Sequence, residues 1–412
     1  MAGLTRSAAV VIAPGTWAGK LSAQAIRRDL LTGCDGWSRL PTRQRLRFAR
    51  KLEPPQGHNA LPIEENELSL KQLALAAALS LGFALPSYAG EVLNQIKSSG
   101  KLICIVNPNS PGFSVPDSKG VFQGFNVDFC RMTAAAIFGD ASKVEIRGVG
   151  FSDSLKTLIA GGAHMASRSI TRTGTRDTEP GLSFIATTFY DGQGFMVPKK
   201  LKVSKASELA GATVCAEDGT TTLQSLADYF GRLKVRYKVQ NIADKSARLQ
   251  AFFSGKCDVL SSDFSALASD RLLATNPDDF TILSDVISNE PLTLVSRPDK
   301  ELEATIFWAL QVMLLAEEYG VNAGNVDRIS ANPGSSPPEV QRLFAKDQAS
   351  AEMARKLGIN PDWAHAVIKS VGNYGEVFER HLGKGSPLGM NRASSPNRLV
   401  RDGGLLYAHP VR

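Results

Sequence analysis

The chain has 412 residues, too many for one ordinary hydrophobic core, and its 43% apolar and 21% charged residues are ordinary for a folded, soluble protein. The net charge is +7, yet residues 1–89 hold 11 Lys and Arg against 6 Asp and Glu, while residues 90–412 hold 36 against 34. The excess therefore lies in the leader. No basic face interleaved with aromatics remains, and nucleic acid is excluded as an expected partner.

Residues 1–66 carry Arg39, Arg43, Arg45, Arg47 and Arg50, show no hydrophobic period and contain many helix breakers. They read as a disordered leader or as an over-extended start. Leu73 to Leu85 is an apolar run of thirteen residues, too short to span a bilayer as a helix. Pro86 follows, with small residues at Ser87 and Ala89. This is the form of a secretory h-region and cleavage site: a signal peptide over 67–89, cut after Ala89, and an exported mature chain. Lys71 alone flanks the run, and Glu64, Glu65 and Glu67 precede it, so a buried amphipathic helix is the alternative.

Lys101–Val106 predicts a compact buried strand. Phe125–Phe138 has apolar residues at helical spacing and stops at Gly139. Another strand is expected over Lys143–Val149 and another helix over Asp153–Ala160. Such alternation implies an α/β fold with parallel sheets and crossover helices. An internal echo points to two similar lobes: the stretch from Leu158 through Gly161 and His164 to Ser169 parallels the one from Ala251 through Gly255 and Asp258 to Ser262. Gly194–Val197 and Pro291–Val295 are expected to be a pair of crossing hinge strands. Lobe 1 would then comprise 90–197 and 291–412, lobe 2 would comprise 198–290, and helices are expected over Leu302–Glu318, Pro338–Ala345 and Asp362–Leu382.

Of five cysteines, Cys104, Cys130, Cys215 and Cys257 follow the cleavage site. In an exported chain an even count permits two disulfides, most simply Cys104–Cys130 and Cys215–Cys257; four buried thiols are the alternative. No CxxC spacing and no neighbouring His supports a zinc site, and neither metal nor cofactor is expected.

Two stretches read as halves of a small-molecule clamp. One runs from Ser169 through Thr171, Arg172 and Arg176 to Asp177. The other runs from Glu217 through Gly219, Thr220 and Thr221 to Thr222, with Ser261, Ser262 and Asp263 some forty residues on. Together they offer a cation, a helix N-terminus and a carboxylate. A guanidinium matches a carboxylate with two parallel hydrogen bonds. A helix start offers free N–H groups to the same anion, and an Asp accepts from an ammonium. A zwitterionic amino acid needs that set, although each motif alone also fits a surface pair or a helix cap.

From about Leu102 onward the chain resembles the periplasmic solute-binding proteins of polar amino-acid ABC importers, family 3, nearest the general L-amino-acid (Aap/Bzt-like) group. The resemblance rests on Gly124–Cys130, Ala134–Asp140, Tyr190–Val197, Leu226–Phe230, Val371–Arg380 and Gly385–Gly389, and covers about three-quarters of the chain. It implies a two-lobed, type II-like periplasmic-binding-protein fold with two hinge strands. It also implies capture of a free L-amino acid by hinge closure, and delivery to the membrane subunits of an ABC permease by a monomer. By position, Thr171 and Arg176 would hold the ligand α-carboxylate and Ser169 would accept from its ammonium through the backbone. Thr220 and Thr221 would form the second lobe's helix start, Asp263 would bind the ammonium, and Asn107 and Phe151 would supply a polar edge and an aromatic wall.

Two positions depart from the family: His164 stands where Asp is usual, and Arg172 where Trp is usual. The first would touch only a cap or a lobe-surface hydrogen bond. The second would either place a second cation at the pocket mouth, favouring acidic side chains, or face solvent. The tail also diverges after Gly389, where 391–401 replaces a more apolar stretch. Asn107, Ser110 and Arg172 point to acidic or amide side chains, or to broad specificity. The rival is an arogenate- or prephenate-type dehydratase on the same fold, which needs a general acid or base near neutral pH. Glu217 and Asp218 are the candidates, His58 and His409 lie in leader and tail, and no catalytic set is evident, so a binding protein rather than an enzyme is expected.

Overall fold

The computed structural model describes residues 90–345 and 348–412. The expected leader and signal peptide lie outside the described residues. Two five-stranded sheets form the centres of two lobes. The strands, in chain order, are β1 (Leu102–Val106), β2 (Val115–Pro116), β3 (Phe122–Gln123), β4 (Val144–Gly148), β5 (Met165–Thr171), β6 (Ser183–Asp191), β7 (Gln193–Pro198), β8 (Thr213–Glu217), β9 (Lys238–Ile242), β10 (Val259–Asp263), β11 (Phe280–Ile282) and β12 (Glu290–Ser296). The first sheet has the order β4-β1-β5-β12-β6 and the second β11-β7-β10-β8-β9, while β2 and β3 pair as a small hairpin.

The sheets repeat one plan. In the first, β1 runs parallel to β4 and β5, and β12 closes against β5 antiparallel. In the second, β8 runs parallel to β9 and β10, and β7 closes against β10 antiparallel. The echo seen in the sequence is therefore structural, because β5 and β10 are the same strand of each plan.

The chain leaves the first sheet at Asp191 and enters the second at Gln193. Gly192 makes this crossing possible: a Cβ there would stand 2.5 Å from Val286 and 2.9 Å from the Ser288 carbonyl. The expected boundary at 198 is thus placed too late. Gly194 to Val197 pairs with β10 and β11, and its side chains, Phe195 and Val197 on one face and Met196 on the other, enter both cores of the second lobe. An apolar run marks a strand without saying which sheet receives it. The return strand β12 lies between β5 and β6 in the first sheet.

The helix Phe125–Phe138 is buried nearly all round, which explains why apolar residues dominate it and do not keep to one face. It packs into a core that also holds the long helix Lys300–Glu318 and an edge-to-face aromatic group of Phe113, Phe125, Phe129 and Phe189. Tyr374 joins this group, and its hydroxyl donates to the Thr188 carbonyl at 2.8 Å. One disulfide lies in each lobe, Cys104–Cys130 and Cys215–Cys257, in the expected pairing.

The divergent tail is docked. Leu399, Leu406 and Val411 are buried, and Arg392 forms a bidentate pair with Glu317 at 2.6 and 3.0 Å. The Asn397 side chain both accepts from the Tyr190 N–H (2.6 Å) and donates to its carbonyl (2.9 Å). Polar anchors to the strand that leads into the crossing thus join the apolar contacts of the tail.

Candidate functional site

The carboxyl ends of β5 and β10 face one cleft between the lobes, the place where open α/β sheets bind ligands. The cleft encloses about 70 Å³, small beside the roughly 300–1,000 Å³ of drug-sized pockets. Asn107, Phe151, Ser169, Thr171, Arg176, Thr220, Thr221 and Asp263 all line it, as does Ser110. The structure therefore brings these nine residues together, from segments up to 156 positions apart in the sequence.

The first lobe supplies positive charge. Arg176 stands on a single helical turn, Gly174–Asp177, whose start Thr173 caps by accepting from the Arg176 N–H at 3.3 Å. Its Nη1 donates to the Thr171 carbonyl at 3.0 Å, and its Nη2 crosses the cleft to the Gly219 carbonyl at 3.2 Å. The guanidinium lies over the Phe151 ring, 5.1 Å from its centroid. Burial pulls its pKa below the usual range, opposed by Glu290 and Asp263. Ser169 has φ 59°, the left-handed region, and its Oγ accepts from Asn126 Nδ2 at 3.1 Å. A non-glycine residue there costs on the order of 1 kcal/mol, the kind of local strain found at ligand clamps.

The second lobe supplies a helix start and a carboxylate. The helix Thr222–Leu233 has no side-chain cap, whereas Thr173, Asp244, Asp299 and Asn373 cap other helices. The residues that could cap it are engaged elsewhere: Thr220 Oγ1 donates to the Glu217 carbonyl at 2.7 Å and Thr221 Oγ1 to Glu290 at 3.1 Å. Its N–H groups remain for an anion. Buried Gln193 holds the turn in place, donating to the Thr222 carbonyl at 3.2 Å and to Ser261 Oγ at 2.9 Å. Burial pushes Asp263 well above the usual carboxylate range, and Asp191 and Glu290 push it further. Asp191, pushed up to about 6, is raised by the same causes, burial first and then Glu290. Three carboxylates meet where the chain crosses between lobes, a place that favours a cation.

Several residues at the cleft were not foreseen. Arg168, Lys245 and Arg248 line it. Lys245 Nζ reaches Asp270 at 2.7 Å within its lobe and Ser110 Oγ at 3.1 Å in the other. Arg248 pairs with Asp270 at 2.9 Å. No sequence spacing links Lys245 with Ser110, 135 positions away. Arg168 alone had a signal, since it precedes Ser169 on the strand that ends at the site.

Arg172 does not reach the cleft. It is exposed and pairs with Asp177 at 2.8 Å, so of the two alternatives the solvent-facing one holds. His164 replaces an acceptor: its Nδ1 accepts from the Ile103 N–H at 3.0 Å, as Asp258 of the second lobe accepts from the Thr213 N–H at 2.8 Å. No described histidine lines the cleft; His365 pairs with Asp327 and His381 with Asp128. Among the described residues no group of three His, Cys, Asp or Glu side chains could hold a metal, and no helix is long and apolar enough to cross a membrane.

Known proteins share this arrangement. Residues 102–271 match the model of the bacterial extracellular solute-binding proteins, family 3. The chain is 40% identical to the general L-amino acid-binding periplasmic protein AapJ of Rhizobium johnstonii, over 82% of this chain and 97% of that protein. It is also 40% identical to the glutamate/glutamine/aspartate/asparagine-binding protein BztA of Rhodobacter capsulatus, over 82% and 96%. A periplasmic binding protein of an ABC transporter from Brucella ovis, solved with glutathione bound, superposes with a TM-score of 0.74 at 39% identity, over 78% of this chain and 99% of that one. Nothing in these relatives supports the dehydratase alternative. With identity sustained over nearly the whole length of such relatives, and a cleft between two repeated sheets, the chain belongs to the bacterial extracellular solute-binding proteins of family 3.

Proposed function

We propose that the chain is the extracytoplasmic receptor of an ABC importer, capturing a free L-amino acid between its lobes and presenting it to the permease subunits as a monomer. Export would use the signal peptide expected over 67–89. The observation that carries this reading is the placement of Arg176. Held by one carbonyl from each lobe, it faces an uncapped helix start and a buried Asp, the set that a carboxylate and an ammonium on one carbon require.

Arg176 and Thr171 would dock the α-carboxylate on lobe 1, and Thr220, Thr221 and Asp263 would close over it from lobe 2, with Ser169, Asn107 and Phe151 completing the walls. A ligand shifts the hinge only by binding the closed form better than the open one. Hydrogen bonds that already cross the cleft, Arg176 to Gly219 and Lys245 to Ser110, favour closure, and the ligand adds to them. The names of AapJ and BztA support an amino acid as ligand. A second reading follows from the Brucella ovis protein. Glutathione carries a free amino group and carboxylate on one carbon and would offer the same head group, but its bulk requires a wider cleft.

The test is isothermal titration calorimetry on the full chain, stripped of carried ligand by unfolding and refolding with its disulfides intact. The panel is glutamate, aspartate, glutamine, leucine, arginine, glutathione and prephenate. One-site binding of amino acids is expected. Sustained heat from prephenate, or binding of glutathione with none of any free amino acid, would overturn the assignment.

A further inference from the structure

Four cations line the cleft, and three of them are engaged by the protein. Arg176 donates to two carbonyls, Lys245 to Ser110 and Asp270, and Arg248 pairs with Asp270. Arg168 differs. It is 4% exposed, yet its guanidinium makes no hydrogen bond or ion pair with any described residue, and its Nε is sealed from solvent without an acceptor.

Its neighbours explain its position but not its donors. The guanidinium stacks on Phe151, 5.0 Å from the ring centroid, as Arg176 does at 5.1 Å. A ring satisfies the face of the cation and leaves the N–H groups in its plane unused. Glu217 lies across the cleft, but it is drawn to Arg248 at 3.7 Å and accepts nothing from Arg168. Burial lowers the pKa of Arg168 to about 10, so it stays charged at neutral pH. A buried charge without an acceptor is costly, and such a group is kept where a ligand completes it.

We infer that Arg168 is a specificity-determining residue: its guanidinium receives the side-chain carboxylate of an acidic L-amino acid whose α-carboxylate Arg176 holds. A second cation at the cleft, one of the two alternatives for Arg172, is thus supplied four residues earlier. Both guanidinium groups lie over the Phe151 ring, 5.0 and 5.1 Å from its centroid, and both line the same cleft, where one ligand can meet both. An amide offers one acceptor oxygen and no charge, and an alkyl side chain offers none. The site therefore ranks acidic side chains above amide ones and amide ones above aliphatic ones. This inference rests on the amino-acid reading above.

The test is titration of wild type, Arg168→Gln and Arg168→Lys with glutamate, glutamine and leucine, with a melting curve for each protein. Wild type is expected to bind glutamate more tightly than glutamine. Arg168→Gln should weaken glutamate by about 30-fold or more while changing glutamine by less than about 3-fold, and Arg168→Lys should recover part of the loss. An equal loss for all three ligands, or no loss, would overturn the role, and so would a wild type that prefers glutamine. If the variants fail to fold, the γ-methyl ester of glutamate on wild type reads the same contact: a loss of about 30-fold is expected, and undiminished affinity would overturn it. Absence of all amino-acid binding to wild type would strike the amino-acid reading instead.

Discussion

The two lobes share a strand plan and differ in what they place at its ends. Arg168 stands within β5 and Arg176 on the helical turn that follows it, whereas Asp263 stands at the end of β10, beside the uncapped helix start at Thr221. The first lobe therefore offers its charge to an anion, and the second combines a place for a cation with a partial charge for the same anion. The cores themselves are unequal. The first lobe holds the large cluster around Phe125 and Trp363, while the second holds two smaller ones on either face of its sheet.

Removing Arg176 should break the complementarity most severely. Arg176→Ala leaves the ligand carboxylate to Thr171 and the helix start, with no cation, and a buried charge stripped of its partner costs about 2–5 kcal/mol in affinity. Calorimetry checks this, and wild-type affinity in the variant would show that the anion sits elsewhere. The fold should survive, because the lost contacts within the protein are one carbonyl in each lobe.

The disulfides test the inequality of the cores. Cys104–Cys130 closes a separation of 26 residues and Cys215–Cys257 one of 42. Loop entropy alone gives about 3–4 kcal/mol for each. The second lobe has the smaller cores, so Cys215→Ala with Cys257→Ala should lower hydrogen-exchange protection in β8 and β10 more than the other pair lowers it in β1. Equal losses would mean that the cores are equivalent in stability despite their size.

Much of this was legible in the sequence, and the reasons separate cleanly. The helix Phe125–Phe138 and strand β1 showed because burial leaves both dominated by apolar residues and Gly139 marks the helix end. The clamp at Thr171, Arg176, Thr221 and Asp263 showed because chemistry clusters at strand ends and helix starts. The crossing was misplaced because Phe195, Met196 and Val197 are apolar in either sheet, and only pairing with Leu260 and Ser261 decides. Arg168 was passed over because its importance lies in what it lacks, an acceptor, and that is a property of the folded surroundings. Arg172 drew attention by departing from the family, yet Asp177, five residues on, pairs with it at the surface.

A smaller effect is expected where the lobes use different side chains for one task. His164 and Asp258 each accept from an N–H of the equivalent strand in their sheets, Ile103 of β1 and Thr213 of β8. A carboxylate accepts in its ionised form, whereas His164 must be neutral to accept through Nδ1. Burial, then Arg297 and Arg147, lower the His164 pKa to about 4. The unfolded chain therefore binds a proton that the folded one refuses between about pH 6.5 and 4, and stability falls as pH drops through that window. After discounting for partial solvent access, the loss is roughly 2 kcal/mol. His164→Asp gives the first lobe the second lobe's acceptor. Its melting temperature should exceed that of wild type at pH 5 and lose the slope between pH 6.5 and 4. An unchanged slope would place the titrating group elsewhere.

The smallest effect comes from Asp263, and its sign is opposite. Its raised pKa means that the folded, ligand-free protein binds a proton more readily than the unfolded chain does. Stability therefore declines as pH rises from the ordinary carboxylate range through the raised value. Asp263→Asn removes the charge that burial, Asp191 and Glu290 oppose. The ligand-free variant should melt higher than wild type at pH 7 while binding amino acids more weakly, since an amide gives an ammonium only a neutral acceptor. The added ligand should reverse the order, because the ammonium supplies the positive charge that Asp263 lacks in the empty cleft. A variant that is less stable than wild type without ligand would mean that Asp263 is already compensated within the protein, and that the second lobe, unlike the first, keeps no charge waiting for the ligand.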